Sequence, residues 1–302
     1  MDFLIFLEQH RCAFLNVFFQ SVTYLGQELF VVAVICWLYW CQNKKLAYTL
    51  GFSYFVSGLA AQGLKITFRV PRPWILDPSF HPVSSAVDAA TGYSFPSGHT
   101  QSGTTLFSTL GFFLGRKLLK TLCFLLVLLV GFSRMYLGCH TPRDVLVSMA
   151  LALFVSWFFY RFFYEKDTFF LPDRILGVLL VVLSLLLVAY TVFLLSVGTL
   201  ETVYAEDCIK AAGAGAGFAL GFYWERTWIR FSLPGDVRGR IFRFLLGIAV
   251  TVLLQEGLKV VLGTALISHY FRYFLVILWI TGLYPALFTR FTPGKIGKKT
   301  GC

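Results

Sequence analysis

Charged and polar residues cut this chain into long apolar stretches, and the cuts set the expected elements. Leu46–Leu64 runs 19 residues without a charge and Ile175–Leu200 runs 26. About 20 apolar residues suffice for a helix to cross the ~30 Å hydrocarbon core of a bilayer. Reading each stretch between charges predicts nine spans, at 21–41, 46–66, 99–115, 118–138, 144–163, 175–198, 210–225, 241–262 and 271–290. Ahead of them, within Met1–Gln20, the polar residues Gln9, Asn16 and Gln20 fall near one helical face, with Phe and Leu elsewhere. That pattern predicts an amphipathic helix lying in the membrane interface. The expected fold is an all-α, polytopic transmembrane helix bundle. It has an interfacial helix over 1–20, a core over 21–198 and a three-helix extension over 199–302.

Composition points the same way. The 302 residues are 57% hydrophobic and 14% charged. Soluble domains run about 45–50% apolar and roughly 25% charged. A soluble enzyme, a secreted disulfide scaffold and a disordered chain are therefore excluded. The seven cysteines include no Cys-x-x-Cys spacing, and Cys36, Cys41 and Cys123 read as buried thiols in or beside spans. The first residues lack a basic leader and carry Glu8, so no cleaved signal peptide is expected. The seventh span carries Gly213, Gly217 and Gly221 at intervals of four, a small-residue stripe expected to let helix backbones approach closely.

The formal charge of +11 would suit nucleic acid, membrane or phosphate. Nucleic acid is not expected, because the basic residues sit between spans and form no continuous stripe. Of the 26 Lys and Arg, 17 collect on one side of the nine expected spans, including Lys44, Lys45, Arg116, Lys117, Lys120, Arg161, Lys166 and Lys295. The positive-inside rule makes that side cytoplasmic, with the N-terminus outside. Lys65, Arg69, Arg72, Arg134 and Arg143 then sit in or beside two outer loops. Charges held there against both the orientation bias and the membrane cost are functional candidates.

Three clusters converge at that outer face. Lys65 is followed after six residues by Arg72-Pro73; Pro96-Ser97-Gly98-His99 directly precedes a span; Ser133-Arg134 is followed after five residues by His140 and after three more by Asp144. In this order they resemble the three-part signature of the type 2 phosphatidic acid phosphatase superfamily, above all its bacterial lipid phosphatases. The resemblance extends over about residues 20–198. It implies a six-helix phosphatase core, active-site loops at 65–99 and 133–144, and a metal-independent reaction without a cofactor. Related bacterial enzymes act on undecaprenyl diphosphate, phosphatidylglycerol phosphate or phosphatidic acid. Glucose-6-phosphatase and the sphingosine-phosphate phosphatases are relatives with other substrates, and an inactive transporter or scaffold is the non-enzyme alternative.

Physical chemistry gives each residue a part. A phosphoryl group in transfer spreads negative charge over its oxygens, so catalysis needs fixed cations and donors. Lys65, Arg72 and Arg134 supply cations. Ser97-Gly98-His99 opens a helix whose free N–H groups face an anion, and Gly98 allows close approach. His140 is the expected nucleophile, its second nitrogen held by Asp144. Thr141-Pro142-Arg143-Asp144 also reads as a capped helix start, a role compatible with the first. His99 is the expected general acid and then base. Arg69 and Arg143 are candidates for headgroup contacts with a second phosphate, or for snorkelling to lipid. His10, His81 and His269 match no motif position and are assigned to loop or interface. The partners expected are a lipid phosphate and membrane lipids, at the outer face of a bacterial plasma membrane.

Overall fold

A computed structural model describes residues 1–165 and 171–291 of the chain; Lys166, Lys295, Lys298 and Lys299 of the charge tally lie outside them. The helices follow the expected order: α1 (Asp2–Gln9), α2 (Ala13–Tyr24), α3 (Glu28–Trp37), α4 (Lys44–Phe68), α5 (Pro73–Leu76), α6 (Gly98–Phe113), α7 (Lys117–Tyr136), α8 (Pro142–Phe159), α9 (Asp173–Ser196), α10 (Thr202–Trp224), α11 (Val237–Leu262), α12 (Leu266–Leu278) and α13 (Tyr284–Phe291). Among the described residues there is no strand. Short π-helical turns extend α3, α8, α10 and α12 at Leu38–Gln42, Tyr160–Glu165, Glu225–Ile229 and Trp279–Leu283.

Five helical stretches are by themselves long and apolar enough to cross a bilayer: Lys117–Tyr136, Pro142–Glu165, Asp173–Ser196, Val237–Leu262 and Leu266–Thr289. Ala13–Tyr24 with Glu28–Gln42 makes a sixth if a 45° bend is allowed within one span. The chain is a multi-pass membrane protein, with fewer self-evident spans than nine. Helix α6 is short at 16 residues, and α4 and α10 are less apolar because they are interior helices. Every residue from Thr100 to Thr109 in α6 is buried, and α4 buries Thr49, Ser53 and Ser57. A helix surrounded by protein satisfies polar side chains from its own backbone, as Ser53 does with the Thr49 carbonyl at 2.7 Å. By contrast α11, which passes the apolar test, buries Gly247 alone. Hydropathy reports the lipid-facing surface, and burial reports the core.

The N-terminal expectation needs correction. Residues 1–20 do not form one interfacial helix, and the boundary at 20 falls inside α2. The chain turns instead at Leu25–Gln27. Gly26 sits so close to the start of α6 that a Cβ there would lie 2.4 Å from the His99 carbonyl oxygen. Only glycine fits that approach, which falls at the 45° bend between α2 and α3.

The extension packs as the small-residue stripe requires. A Cβ at Gly213 would stand 2.2 Å from the Tyr270 carbonyl, and one at Gly217 would stand 2.4 Å from that of Phe274. Helix α10 therefore lies backbone to backbone against α12, and its other faces meet α9 and α4. Phe52 of α4 joins the halves, with ring centroids 5.1 Å from Phe218 and 4.8 Å from Phe222 of α10 and 5.5 Å from Phe159 of α8. At the basic end, Lys44 and Tyr48 both bond the buried Glu225 carboxylate. The opposite end carries the motif residues.

Candidate active site

Helices α7 and α8 meet at a five-residue corner, Leu137–Thr141, and the corner presents His140. Asp144 locks it. Its Oδ2 accepts from the Thr141 backbone N–H at 2.8 Å, while Thr141 Oγ1 accepts from the Asp144 N–H at 3.4 Å, the reciprocal cap expected from the sequence. The same Oδ2 accepts from Ser94 Oγ at 2.6 Å and lies 3.8 Å from His140 Nδ1. One carboxylate thus caps the helix, anchors the loop before α6 and stands beside the imidazole.

Arg72 holds the other side of the ring. Its Nη1 donates to His140 Nε2 at 2.9 Å and to the Cys139 carbonyl at 3.1 Å. Its Nε donates to the Gly92 carbonyl at 3.0 Å and its Nη2 to the Thr91 carbonyl at 2.5 Å. A guanidinium only donates, so Nε2 is the acceptor and the ring proton sits on Nδ1, toward Asp144. Burial first, then Arg72, Arg134, Lys65 and His99, keep His140 well below its ordinary pKa of 6.5. The imidazole is neutral, with its lone pair at Nε2.

Two more cations converge here. Lys65, near the end of α4, donates from Nζ to the Tyr93 carbonyl at 2.9 Å. Arg134, 1% exposed near the end of α7, donates from Nη1 to Thr23 Oγ1 at 2.9 Å. Its Nε and Nη2 are buried without a partner. Leaving buried charged donors unmet costs about 1–3 kcal/mol or more. Asp144 and, from α10, Asp207 are the carboxylates within electrostatic reach of these cations, so three cations face two carboxylates and the cluster still favours an anion.

The start of α6 closes the site. Ser97 caps it, its Oγ accepting from the Thr100 N–H at 3.4 Å and from Thr100 Oγ1 at 2.9 Å. Its backbone N–H donates to the Asp144 carbonyl at 3.2 Å, tying the second motif to the third. Both contacts are accepted by the Ser97 oxygen, so its own O–H proton stays on offer as a donor beside the first-turn N–H groups of Gly98 and His99. A Cβ at Gly98 would meet nothing within 4 Å, so open space lies in front of it. His99 is half-buried and within electrostatic reach of Arg134, Arg72 and Lys65.

The eight catalytic and phosphate-binding candidates therefore gather around one polar centre. The headgroup candidates differ. Arg69 ends α4 in a left-handed conformation, φ 47°, and its Nη1 donates to the Thr199 carbonyl at 3.0 Å. Arg143 is exposed and lies over the Phe95 ring at 4.9 Å. Both are occupied beside the centre. His269 is also corrected: it is buried in α12, bonded to Arg272. Sequence reading missed Ser94 and Thr23. No spacing announces either, since each acts through a tertiary contact with Asp144 or Arg134.

The chain is similar to known proteins in both halves of its length. Residues 45–168 match the family described as PAP2 superfamily, and residues 209–297 match PAP2 superfamily phosphatase, transmembrane extension. Undecaprenyl-diphosphatase BcrC of Bacillus subtilis is 29% identical over 54% of this chain and 84% of its own length. Phosphatidylglycerophosphatase B of Bacillus subtilis is 26% identical over 52% of this chain and 78% of its own. A probable sphingosine-1-phosphate phosphatase of Dictyostelium discoideum is 31% identical over 49% of this chain and 38% of its own. The crystal structure of a transmembrane PAP2-type phosphatidylglycerolphosphate phosphatase from Bacillus subtilis overlaps with a TM-score of 0.48 at 23% identity, covering 56% of this chain and 86% of that one. With both profiles matching in order along the sequence, the chain belongs to the PAP2 superfamily and carries its transmembrane extension.

Proposed function

We propose that this protein is a membrane lipid-phosphate phosphatase that works through a phosphohistidine. The observation that carries the reading is the pair of buried Arg134 guanidinium nitrogens without a partner, beside a His140 around which three cations face two carboxylates, Asp144 and Asp207. A phosphate supplies the missing anion. On binding, its oxygens take the hydrogen bonds of Arg134 and of Arg72 Nη1, and Nε2 of His140 is released as the nucleophile. The Nε2 lone pair forms the N–P bond while the P–O bond to the leaving group breaks, and His99 gives its proton to the departing oxygen. Asp144 steadies the positive charge that develops on the ring. Water then attacks phosphorus, His99 takes its proton, and the P–N bond breaks to return His140 and inorganic phosphate. Lys65, Arg72, Arg134 and the N–H groups of Gly98 and His99 neutralise the equatorial oxygens throughout.

The substrate class follows from the setting. A site at one end of a membrane bundle suits an amphiphile whose tail stays in the bilayer. Undecaprenyl diphosphate and phosphatidylglycerol phosphate are the leading substrates, by analogy with the similar proteins. In this reading α4, α6, α10 and the bent α2–α3 pair also cross, giving nine spans with the site outside a bacterial plasma membrane. The basic end at Lys44, Arg226 and Arg243 supports that orientation. A metal-independent turnover belongs to this reading, and chelation tests it. The deciding experiment is phosphate release by purified protein across lipid phosphates, lipid diphosphates and sugar phosphates. Release from the lipids, unchanged in EDTA, is expected. Release from glucose 6-phosphate alone, or loss in EDTA restored by magnesium, would replace the reading.

A further inference from the structure

The cations of the site are held largely by one short loop. Arg72 bonds the carbonyls of Thr91 and Gly92, and Lys65 bonds that of Tyr93. Three consecutive carbonyls therefore aim two of the three phosphate-binding cations. That loop is exposed at Thr91 and lacks regular structure. Within the core it is tied through Ser94 to Asp144 and Val70, and further support comes from the extension. Thr91 Oγ1 donates to Asp207 Oδ2 of α10 at 2.9 Å. The Tyr93 ring stacks on Tyr204 of α10, with centroids 4.2 Å apart and planes 21° off parallel. Arg69 reaches the Thr199 carbonyl just before the same helix. Gly92 has φ +66°, and a Cβ on it would sit 3.8 Å from the Asp207 carboxylate. The loop is folded tightly onto the extension at this point. Asp207 in turn faces Lys210 Nζ from its other oxygen at 3.5 Å, which fixes its rotamer.

We propose that α10 is part of the phosphate-binding apparatus, with Asp207 as a positioning residue acting through Thr91 on Arg72 and Lys65. The extension is then no passive addition to the bundle; it sets the aim of the cations. The proposal rests on the phosphatase reading and is tested apart from it.

Full-length wild type, Asp207→Ala, Asp207→Asn, Thr91→Val and the Asp207→Ala/Thr91→Val pair are compared by vanadate inhibition, by kcat/KM on a lipid phosphate, and by amide hydrogen exchange over residues 89–95. Losing one orienting hydrogen bond should weaken vanadate inhibition and kcat/KM about tenfold in either single variant. The pair should be no worse than the singles, because both remove the same bond. Asp207→Asn, whose amide oxygen still accepts from Thr91, should recover most of the loss. Should Asp207→Ala fail to fold, Thr91→Val on the exposed loop carries the test with Asp207→Asn. Additive losses in the pair, wild-type vanadate inhibition in Thr91→Val, or an Asp207→Asn as poor as the alanine each overturn the proposal. If wild type releases no phosphate from any substrate, the phosphatase reading fails. Hydrogen exchange still decides the clamp, by faster exchange at 89–95 in Thr91→Val and protection in Asp207→Asn.

Discussion

Two buried sites in this molecule are built from the same three groups. At one, His140 Nε2 lies 2.9 Å from Arg72 Nη1, and its Nδ1 lies 3.8 Å from Asp144. At the other, in the extension, His269 Nδ1 lies 2.9 Å from Arg272 Nη2, and its Nε2 lies 3.7 Å from Glu206. What separates them is the charge around the trio. Lys65 and Arg134 join Arg72 around His140, three cations against the two carboxylates of Asp144 and Asp207. Around His269, Glu206 and Asp207 share Lys210 at 3.0 and 3.5 Å and balance it together with Arg272. Each site holds a guanidinium nitrogen without a partner, at Arg134 and at Arg272, so the difference lies in the net charge around the histidine, which favours an anion at His140.

The most severe way to break the comparison is to remove each histidine. His140→Ala should abolish phosphate release, whereas His269→Ala should leave it near wild type in the same assay. Comparable losses from both would erase the distinction drawn here.

Arg134 comes next. Arg134→Met removes a transition-state cation and should cut kcat by about a hundredfold or more. It also relieves buried donors that lack partners, so the empty protein should melt no lower than wild type. Adding vanadate should stabilise wild type and leave the variant unmoved, as read by thermal unfolding in detergent.

Acidity offers a finer probe. Because burial and neighbouring cations hold His140 below 6.5, the acid limb of kcat/KM should fall below that value. Lys65→Gln removes one of those cations and should move the limb upward. The sign for stability follows. An unfolded His140 binds a proton near pH 6.5 while the folded one does not, so its contribution is present above 6.5 and is lost on acidification. Thermal scans of His140→Gln should show a shallower acid loss than wild type.

The smallest effects should come from the arginines at the rim. With Arg69 on the Thr199 carbonyl and Arg143 over Phe95, Arg69→Gln and Arg143→Gln should each alter turnover by about twofold, in the range of a surface interaction. The change should be equal on a lipid monophosphate and an isoprenyl diphosphate. A loss confined to the diphosphate would give both arginines a headgroup role.

Much of the molecule was legible in its sequence because lipid and phosphate impose local rules. Apolar length placed α7, α8, α9, α11 and α12, and the cap at Thr141 and Asp144 was readable as four consecutive residues. The Gly213–Gly221 stripe likewise announced the close contact with α12. What escaped depends on contacts remote in sequence. Thr23 reaches Arg134 across 111 residues, and Asp207 reaches Thr91 across 116. The break at Gly26 was hidden as well, since its cause is the His99 carbonyl and not any local pattern. Arg69 and Arg143 show the opposite limit: position beside a motif does not say where a long side chain points.

The unmet nitrogens of Arg134 have a consequence for how the enzyme finishes its cycle. A pocket that gains by accepting an anion gains from the orthophosphate it makes as well as from the ester it cleaves. Orthophosphate is therefore expected to inhibit by occupying the same donors, and Arg134→Met, which lacks them, should be less sensitive to it.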